Sequence, residues 1–175
     1  MEGENILNPE VQPMTLLEKI NKVLAELGST GKWKRPPEFL EGYEPLKDKI
    51  VVMVDDVKTV LENFVPHLIV ATDGKASFVE YKGQKLDELL EQIMLHKPNI
   101  VVMDYHLSEN LKGTSVINAL REQNFPGKTI GFSSDNTARE FSDAGAIGVV
   151  DKGGYSPEDS VEKLAKLVSK EKTNK

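Results

Sequence analysis

From about residue 49 onward, short apolar runs alternate with amphipathic helical patterns, and this alternation constrains the fold more than any other feature. The runs are rich in Val and Ile and show little polar alternation, which is typical of parallel strands covered by helices on both faces. Five runs are candidate strands: KIVVMV (49–54), HLIVA (67–71), NIVVM (99–103), TIGF (129–132) and IGVV (147–150). Strands that alternate with helices through right-handed crossovers predict an α/β fold, a doubly wound five-stranded parallel sheet with helices on both faces.

Apolar residues at helical spacing predict helices between and after these strands. Three such stripes are Leu86, Leu89, Leu90, Ile93 and Met94, then Val116, Ile117 and Leu120, then Val161, Leu164, Leu167 and Val168. The last helix is expected to begin at SPED, with Ser156 as the cap and Pro157 at the first helical position. One segment stays open, because TDGKASFVEYKG (72–83) fits either a strand or a small excursion.

Residues 1–48 lie outside the repeat and predict an N-terminal extension to a domain at 49–170, which a polar tail at 171–175 follows. Thr15 and Glu18 form a capping box, Gly28 is a stop signal, and the apolar stripe between them predicts one amphipathic helix at about 15–27. The Pro-rich stretch after it predicts an extended linker, pinned by Trp33, Phe39 and Tyr43. The stripe fits packing on the chain's own domain, self-association into a homodimer and binding of a partner equally well.

Composition narrows the classes of function. A chain of 175 residues with 39% hydrophobic content can bury one sizeable core. Its net charge of -6 argues against general attraction to nucleic acid or to an anionic membrane surface. The absence of cysteine excludes disulfides, thiolate nucleophiles and thiolate metal sites. Because the sequence shows neither a secretory signal nor an apolar run of roughly 20 residues, we expect a soluble, cytoplasmic protein.

Polar residues stand where the predicted strands end, and the carboxyl ends of parallel strands meet at one edge of a sheet. The first strand ends in Asp55 and Asp56, the third in Asp104, the fourth in Ser133 and Ser134, and the fifth in Asp151 and Lys152. Carboxylates this close repel one another and raise each other's pKa. Either one of them takes a proton or a divalent cation joins them. Mg²⁺ prefers such oxygen ligands, and a lysine and a hydroxyl can bind further anionic oxygens. The site therefore fits phosphoryl chemistry.

These motifs resemble the receiver domains of two-component response regulators, over about residues 49–170. VMVDD resembles the first strand with its acidic pair, VVMDYHL the third strand with the phosphoacceptor, FSS the hydroxyl position, and GAIGVVDKG the fifth strand with its lysine. Each motif alone is weak evidence. All four in family order, at family-like spacing, make a specific signal.

The resemblance implies a flavodoxin-like receiver fold in which Asp104 accepts a phosphoryl group from a sensor histidine kinase or a phosphotransfer protein. It implies that Asp56, Asp104 and the backbone carbonyl of His106 hold Mg²⁺, with Asp55 acting mainly through water at the metal. Lys152 and Ser133 would bind phosphate oxygens. The resulting movement would change the surface of the fourth helix, fifth strand and fifth helix, which a downstream protein target reads. Such a chain is a phosphoacceptor and not an enzyme, apart from weak self-phosphorylation and autodephosphorylation.

The sequence departs from the family pattern at three places. Gly153 and Gly154 follow the lysine, where the family usually has proline, and Val149 stands where many members have an aromatic residue. The stretch from Ser133 to Lys152 is short and predicts an abbreviated fourth helix. Because only the polar tail follows the last helix, we expect no C-terminal output domain.

Two alternatives remain open at this point. A phosphatase of the haloacid dehalogenase type also uses an aspartyl nucleophile and Mg²⁺, but it wants a second Asp two residues later, where this chain has His106. A degenerate receiver would keep the fold as a binding module that works without phosphorylation. Single residues also have plainer explanations, since Asp104 could cap the next helix and the side chain of His106 is more often a surface group than a phosphohistidine.

Overall fold

The computed structural model describes residues 42–153 and 156–170, and five strands and five helices alternate in this part of the chain. The elements are β1 (Val51–Asp55), α1 (Lys58–Ala71), β2 (Ala76–Glu80), α2 (Leu86–Leu95), β3 (Ile100–Asp104), α3 (Gly113–Glu122), β4 (Lys128–Ser133), α4 (Ala138–Ala144), β5 (Val149–Asp151) and α5 (Pro157–Lys170). A 3-10 turn at Glu44–Leu46 precedes β1.

The strands form one parallel sheet in the order β2-β1-β3-β4-β5. The register places Val54 opposite Met103, Asp104 opposite Phe132, and Ser133 opposite Asp151. The carboxyl ends of β1, β3, β4 and β5 therefore meet at one edge. The predicted doubly wound five-stranded parallel sheet is confirmed.

Helices cover both faces of the sheet, and this explains why the central strands are apolar throughout. Every residue of β1 and β3 is buried. One core lies on the side of α1 and α5 and includes Met53, Phe64, Val102, Phe132 and Leu164. The other core lies on the side of α2, α3 and α4 and includes Val54, Ile93, Met103, Ile117 and Phe141. A strand covered on both faces has no solvent face to mark with polar residues.

The structure corrects the second predicted strand. HLIVA (67–71) is the last part of α1, and the second strand is β2, within the segment that the sequence left open. The buried residues of α1 recur at intervals of three and four, which is helical spacing: Leu61, Phe64, Val65 and Leu68. HLIVA reads as a strand because Ile69 and Val70 are β-branched and Pro66 precedes them, yet Pro66 lies inside the helix.

A tight turn separates α1 from β2. The Thr72 hydroxyl donates to the carbonyl of Leu68 at 2.8 Å, and the N–H of Gly74 donates to the carbonyl of Ile69 at 2.8 Å. Asp73 and Gly74 both adopt positive φ, 52° and 85°, a conformation that glycine and aspartate tolerate best. The chain thus reverses direction and enters the sheet at Ala76.

The core also includes residues that precede the predicted domain start at Lys49. Tyr43 and Leu46 are buried against α1 and α5, and the Tyr43 hydroxyl donates to the carbonyl of Glu158 at 3.3 Å. Tyr43 therefore anchors this segment to the core as expected, but the expected extended linker is wrong for residues 42–46, which form helical turns. The predicted helix at 15–27, Trp33, Phe39 and the tail at 171–175 lie outside the described residues.

The fourth helix is short, as the spacing from Ser133 to Lys152 predicts. α4 has seven residues and ends at Gly145, whose φ of 98° lies in the left-handed region typical of helix ends. Among the helices that the structure describes, none combines the length and the apolar character that a membrane span requires.

Candidate functional site

The two central strands deliver the carboxylates of the site. Asp55 is the last residue of β1 and Asp104 the last residue of β3, and these strands are neighbours in the sheet. Asp56 follows directly and is exposed, whereas Asp55 and Asp104 are buried at 0% and 4% exposure. The strands are held by apolar packing on both faces, so the position of each charged tip is determined by the core behind it.

The three carboxylates form one cluster. One oxygen from each of Asp55, Asp56 and Asp104 lies within 4.8 Å of the others. Three acidic groups at this separation repel one another when all are ionised. Their oxygens are also the ligands that a hard divalent cation such as Mg²⁺ prefers, so the donor set fits such an ion.

Lys152 bridges the two buried carboxylates. Its Nζ lies 2.7 Å from Oδ2 of Asp55 and 2.6 Å from Oδ1 of Asp104. Its backbone N–H also donates to the carbonyl of Ser133 at 3.0 Å, which ties the end of β5 to the end of β4. The predicted lysine therefore lies at the centre of the site and partly offsets the repulsion between the acids.

The pKa of Asp104 is raised above the ordinary carboxyl value. Burial is the main cause, and the charge of Asp55 adds to it, while the hydrogen bond and charge of Lys152 act in the opposite direction. The ionised form of Asp104 is therefore less favourable in the folded protein than in water. A carboxylate kept in such surroundings is typical of a functional position.

Ser133 lies at the edge of the site and is linked to the loop after β4. It is buried, and its Oγ accepts a hydrogen bond from the N–H of Asp135 at 3.1 Å. Asp135 in turn lies 2.7 Å, Oδ2 to Nε2, from His106, which follows Asp104 by two residues. The side chain of His106 thus connects the loops after β3 and β4. The role of its backbone carbonyl as a metal ligand stays a prediction.

No family model and no curated protein matches this sequence. Solved structures do match. The chemotaxis protein CheY4 of Vibrio cholerae has a TM-score of 0.57 at 17% identity, with 67% of this chain and 96% of that chain covered. The receiver domain of the Francisella response regulator 1452 has a TM-score of 0.56 at 19% identity, covering 70% and 98%. A DNA-binding response regulator of the LuxR family from Staphylococcus aureus has a TM-score of 0.56 at 18% identity, covering 69% and 99%.

The chain has the fold of a response regulator receiver domain. The strand order, the parallel sheet and the helices on both faces are those of the flavodoxin-like receiver fold that the sequence motifs predict. In another match, NtrX from Brucella abortus, the receiver fold covers only 28% of that chain, so this fold also occurs as part of longer proteins.

Within this receiver fold, Gly113 is a residue of the site that sequence reasoning missed. It begins α3, and its N–H donates to the carbonyl of Tyr105 at 2.8 Å. A Cβ at this position would overlap the backbone carbonyl of Asp104 and crowd the side chain of Met103. Only glycine allows α3 to approach the end of β3 this closely. Its isolated place after a polar loop was the available sequence signal.

Phe132 is a second residue of the receiver site that the sequence did not single out. It lies opposite Asp104 in the register, and the Nζ of Lys152 lies 5.2 Å from the centre of its ring. An apolar residue in a buried strand is expected to serve the core only, which explains the omission.

Val149, one of the departures from the family pattern, begins β5 and is partly buried.

Proposed function

We propose that this domain is a phosphoacceptor in two-component signalling, in which Asp104 takes a phosphoryl group from a sensor histidine kinase or a phosphotransfer protein. The supporting observation is Asp104 itself, a buried carboxylate 2.6 Å from Lys152, with a raised pKa, at the acidic edge of a receiver fold. The reaction is stoichiometric, so the domain is a substrate of its kinase and not an enzyme in its own right.

The chemical step is an in-line displacement at phosphorus. A carboxylate oxygen of Asp104 attacks the phosphorus of the donor phosphohistidine, and the bond from phosphorus to the imidazole nitrogen breaks. The departing nitrogen keeps the electron pair, and because the second ring nitrogen of the donor carries a proton, the ring leaves as a neutral imidazole, while Asp104 becomes an aspartyl phosphate. Lys152, already within hydrogen-bond distance of Asp104, then pairs with a phosphate oxygen, and the Ser133 hydroxyl donates to another.

Mg²⁺ is part of the proposal. Asp56, Asp104 and the backbone carbonyl of His106 would hold the ion, and Asp55 would act through a bound water. When bound, Mg²⁺ would offset the negative charge on the phosphoryl oxygens as they approach the acidic cluster. The clustering of Asp55, Asp56 and Asp104 within 4.8 Å supports this assignment.

The signal would pass through the loop after β4. Ser133 and Asp135 share a hydrogen bond, so a shift of Ser133 toward the phosphate also shifts the residue that pairs with His106. The surface formed by α4, β5 and α5 would change, and a downstream protein target would read the change. Because Val149 replaces the aromatic residue, the movement would involve the loop and the short α4 and not a rotating ring.

The direct test is incubation of the protein with Mg²⁺ and a small-molecule phosphodonor, followed by intact-mass measurement. We expect a gain of the mass of one phosphoryl group that requires Mg²⁺ and disappears in Asp104→Asn. Beryllofluoride provides an independent test, since the receiver domain of DrrB, similar in fold, has been solved in a BeF3-activated form. Absence of both the mass gain and a beryllofluoride response would support the alternative, a receiver fold that acts as a phosphorylation-independent binding module. A cytoplasmic location is also part of the proposal, since phosphohistidine donors of this class act there.

A further inference from the structure

Lys152 lies next to a pair of aromatic rings as well as to the acidic cluster. The Nζ of Lys152 is 5.2 Å from the centre of the Phe132 ring. The ring of Phe64, on α1, packs against Phe132 with a centroid separation of 4.8 Å and an interplanar angle of 41°. Both phenylalanines are buried. The ammonium group therefore contacts two carboxylates and the face of a fixed aromatic ring.

Packing alone does not confine this lysine. A cavity of about 150 Å³ lies between α1, β4 and α5, and its lining includes Lys152 together with Phe64, Phe132 and Pro157. The side chain of Lys152 is 18% exposed. A flexible four-carbon side chain beside open space has several rotamers available, so its position depends on what attracts the ammonium group.

We propose that Phe132 is a positioning residue for phosphoryl transfer, because the face of its ring holds the Lys152 ammonium at the acceptor and keeps it out of the cavity between α1 and α5. An ammonium within about 6 Å of a ring centroid is attracted by the negative face of the ring. The attraction is stronger where the groups are shielded from water, and the Phe132 ring is only 4% exposed.

The ring differs from the carboxylates in one respect that matters for the reaction. When Asp104 becomes an aspartyl phosphate, the carboxylate oxygen that contacts Lys152 changes its charge and its position. The Phe132 ring keeps its position and its electron distribution throughout the reaction. It therefore attracts the ammonium group of Lys152 in the same way before, during and after the transfer. This inference rests on the proposed function, because its rate effect requires Asp104 to accept phosphate.

The sharpest test replaces Phe132 with phenylalanine carrying one, two or three ring fluorines. Each fluorine weakens the negative face of the ring and leaves its shape almost unchanged, so a purely structural role predicts constant rates. We expect the rate constant for phosphorylation by a small phosphodonor to fall stepwise, by about threefold to tenfold in total. The matched control is the same series at Phe141, a buried ring on the opposite face of the sheet, where we expect constant rates.

A second measurement does not depend on phosphorylation. In the unphosphorylated protein, the ε-methylene protons of Lys152 should be shifted upfield by the ring, and Phe132→Leu should remove the shift. Constant rates across the fluorinated Phe132 series, or an equal fall in the Phe141 series, would overturn the proposal. So would an unshifted Lys152 resonance in the natural protein. If the natural protein accepts no phosphate, the proposed function fails by that result alone, and the resonance still reports whether Phe132 positions the lysine.

Discussion

Asp104 and His67 are both buried titratable groups, but they differ in the charged groups that surround them. Burial raises the pKa of Asp104, and burial is also the main reason why the pKa of His67 is lowered. Each shift favours the neutral form. At neutral pH, however, an unprotonated His67 carries no charge into the protein interior, whereas Asp104 lies beside Lys152 and two further acids.

The neighbours of the two groups explain the difference. His67 lies on α1 and faces one partly exposed acid, Glu158, whose Oε1 is 3.7 Å from its Nδ1. His67 is buried, and the charge of Glu158 only partly counteracts the effect of burial on its pKa. Asp104 lies where strand ends converge, and its charge is opposed by Asp55. Burial alone therefore does not indicate function. Burial does indicate a functional position when several interacting charges lie around the same group.

The largest effect is expected for Asp104→Asn, which tests the functional side of this comparison. The variant should lose phosphorylation completely and should also be more stable than the natural protein. The raised pKa means that the folded state binds more protons than the unfolded state, so stability falls as pH rises above 3.8, the ordinary pKa of this carboxyl group. A neutral amide removes this loss. Thermal unfolding at several pH values measures it.

The control for Asp104→Asn is Asp143→Asn, which changes an exposed acid on α4. Its stability should stay within about 0.5 kcal/mol of the natural protein, as is usual for surface changes. If Asp104→Asn were instead destabilised at neutral pH, the interaction with Lys152 would outweigh burial, and the contrast with His67 would disappear.

The residues of the site could be predicted from the sequence more completely than the boundaries of α1 and β2 could. Asp55, Asp104, Ser133 and Lys152 were identified because strand ends in a parallel sheet meet at one edge, whatever the helices do. HLIVA was misassigned because periodicity cannot separate a buried helix end from a short buried strand. The decisive signal was the turn at Asp73 and Gly74, which follows HLIVA and precedes the true second strand.

The contacts made by Gly113 and Phe132 could not be predicted from the sequence for a different reason. Their roles depend on distances between elements: the approach of α3 to Asp104, and the approach of Lys152 to an aromatic ring. A residue pattern predicts which face of an element is buried, but it does not specify which atom lies against it.

Lys152→Met should have the next largest effect. It measures how much the stability of the protein depends on the lysine charge between the carboxylates of Asp55 and Asp104. The substitution keeps the length of the side chain and removes the charge from between Asp55 and Asp104. We expect a loss of about 2 to 3 kcal/mol at neutral pH, at the low end for buried pairs because the lysine is 18% exposed. The deficit should shrink in acid, where protonation relieves the repulsion. Mg²⁺ should stabilise this variant more than the natural protein, and an equal gain in both would contradict competition between Lys152 and the ion.

Gly113→Ala should disturb the carboxyl edge without touching any charge. The added methyl group would overlap the carbonyl of Asp104, so α3 or β3 must move. We expect a loss of about 1 to 3 kcal/mol and slower phosphorylation of Asp104. Gly42→Ala is the control, since its Cβ would meet Glu162 at an ordinary 3.6 Å. Equal phosphorylation rates in the two variants would show that the position of Asp104 is less constrained than the packing implies.

Asp56→Asn separates metal binding from stability. Asp56 is the exposed member of the cluster, so its removal should change unfolding little. Mg²⁺ affinity should fall about tenfold or more, in line with the effect of losing groups around a metal site. Calorimetric titration with Mg²⁺ measures the affinity, and Asp135→Asn, which changes an exposed acid paired with His106, provides the comparison. An unchanged affinity in Asp56→Asn would remove Asp56 from the predicted ligands.

The smallest effect concerns His67, where the structure predicts a pH dependence of opposite sign to that of Asp104. Because the pKa of His67 is lowered in the folded state, the unfolded state binds more protons, and stability falls as pH decreases below 6.5, the ordinary pKa of histidine. His67→Asn should flatten this part of the stability curve. Glu158→Gln should make it steeper, because the charge of Glu158 acts to raise the pKa of His67. Denaturant unfolding at a series of pH values between about 5 and 7.5 tests both variants. If Glu158→Gln left the curve unchanged or flattened it, the charge of Glu158 would not act to raise the pKa of His67, and the pair would have no part in the pH dependence.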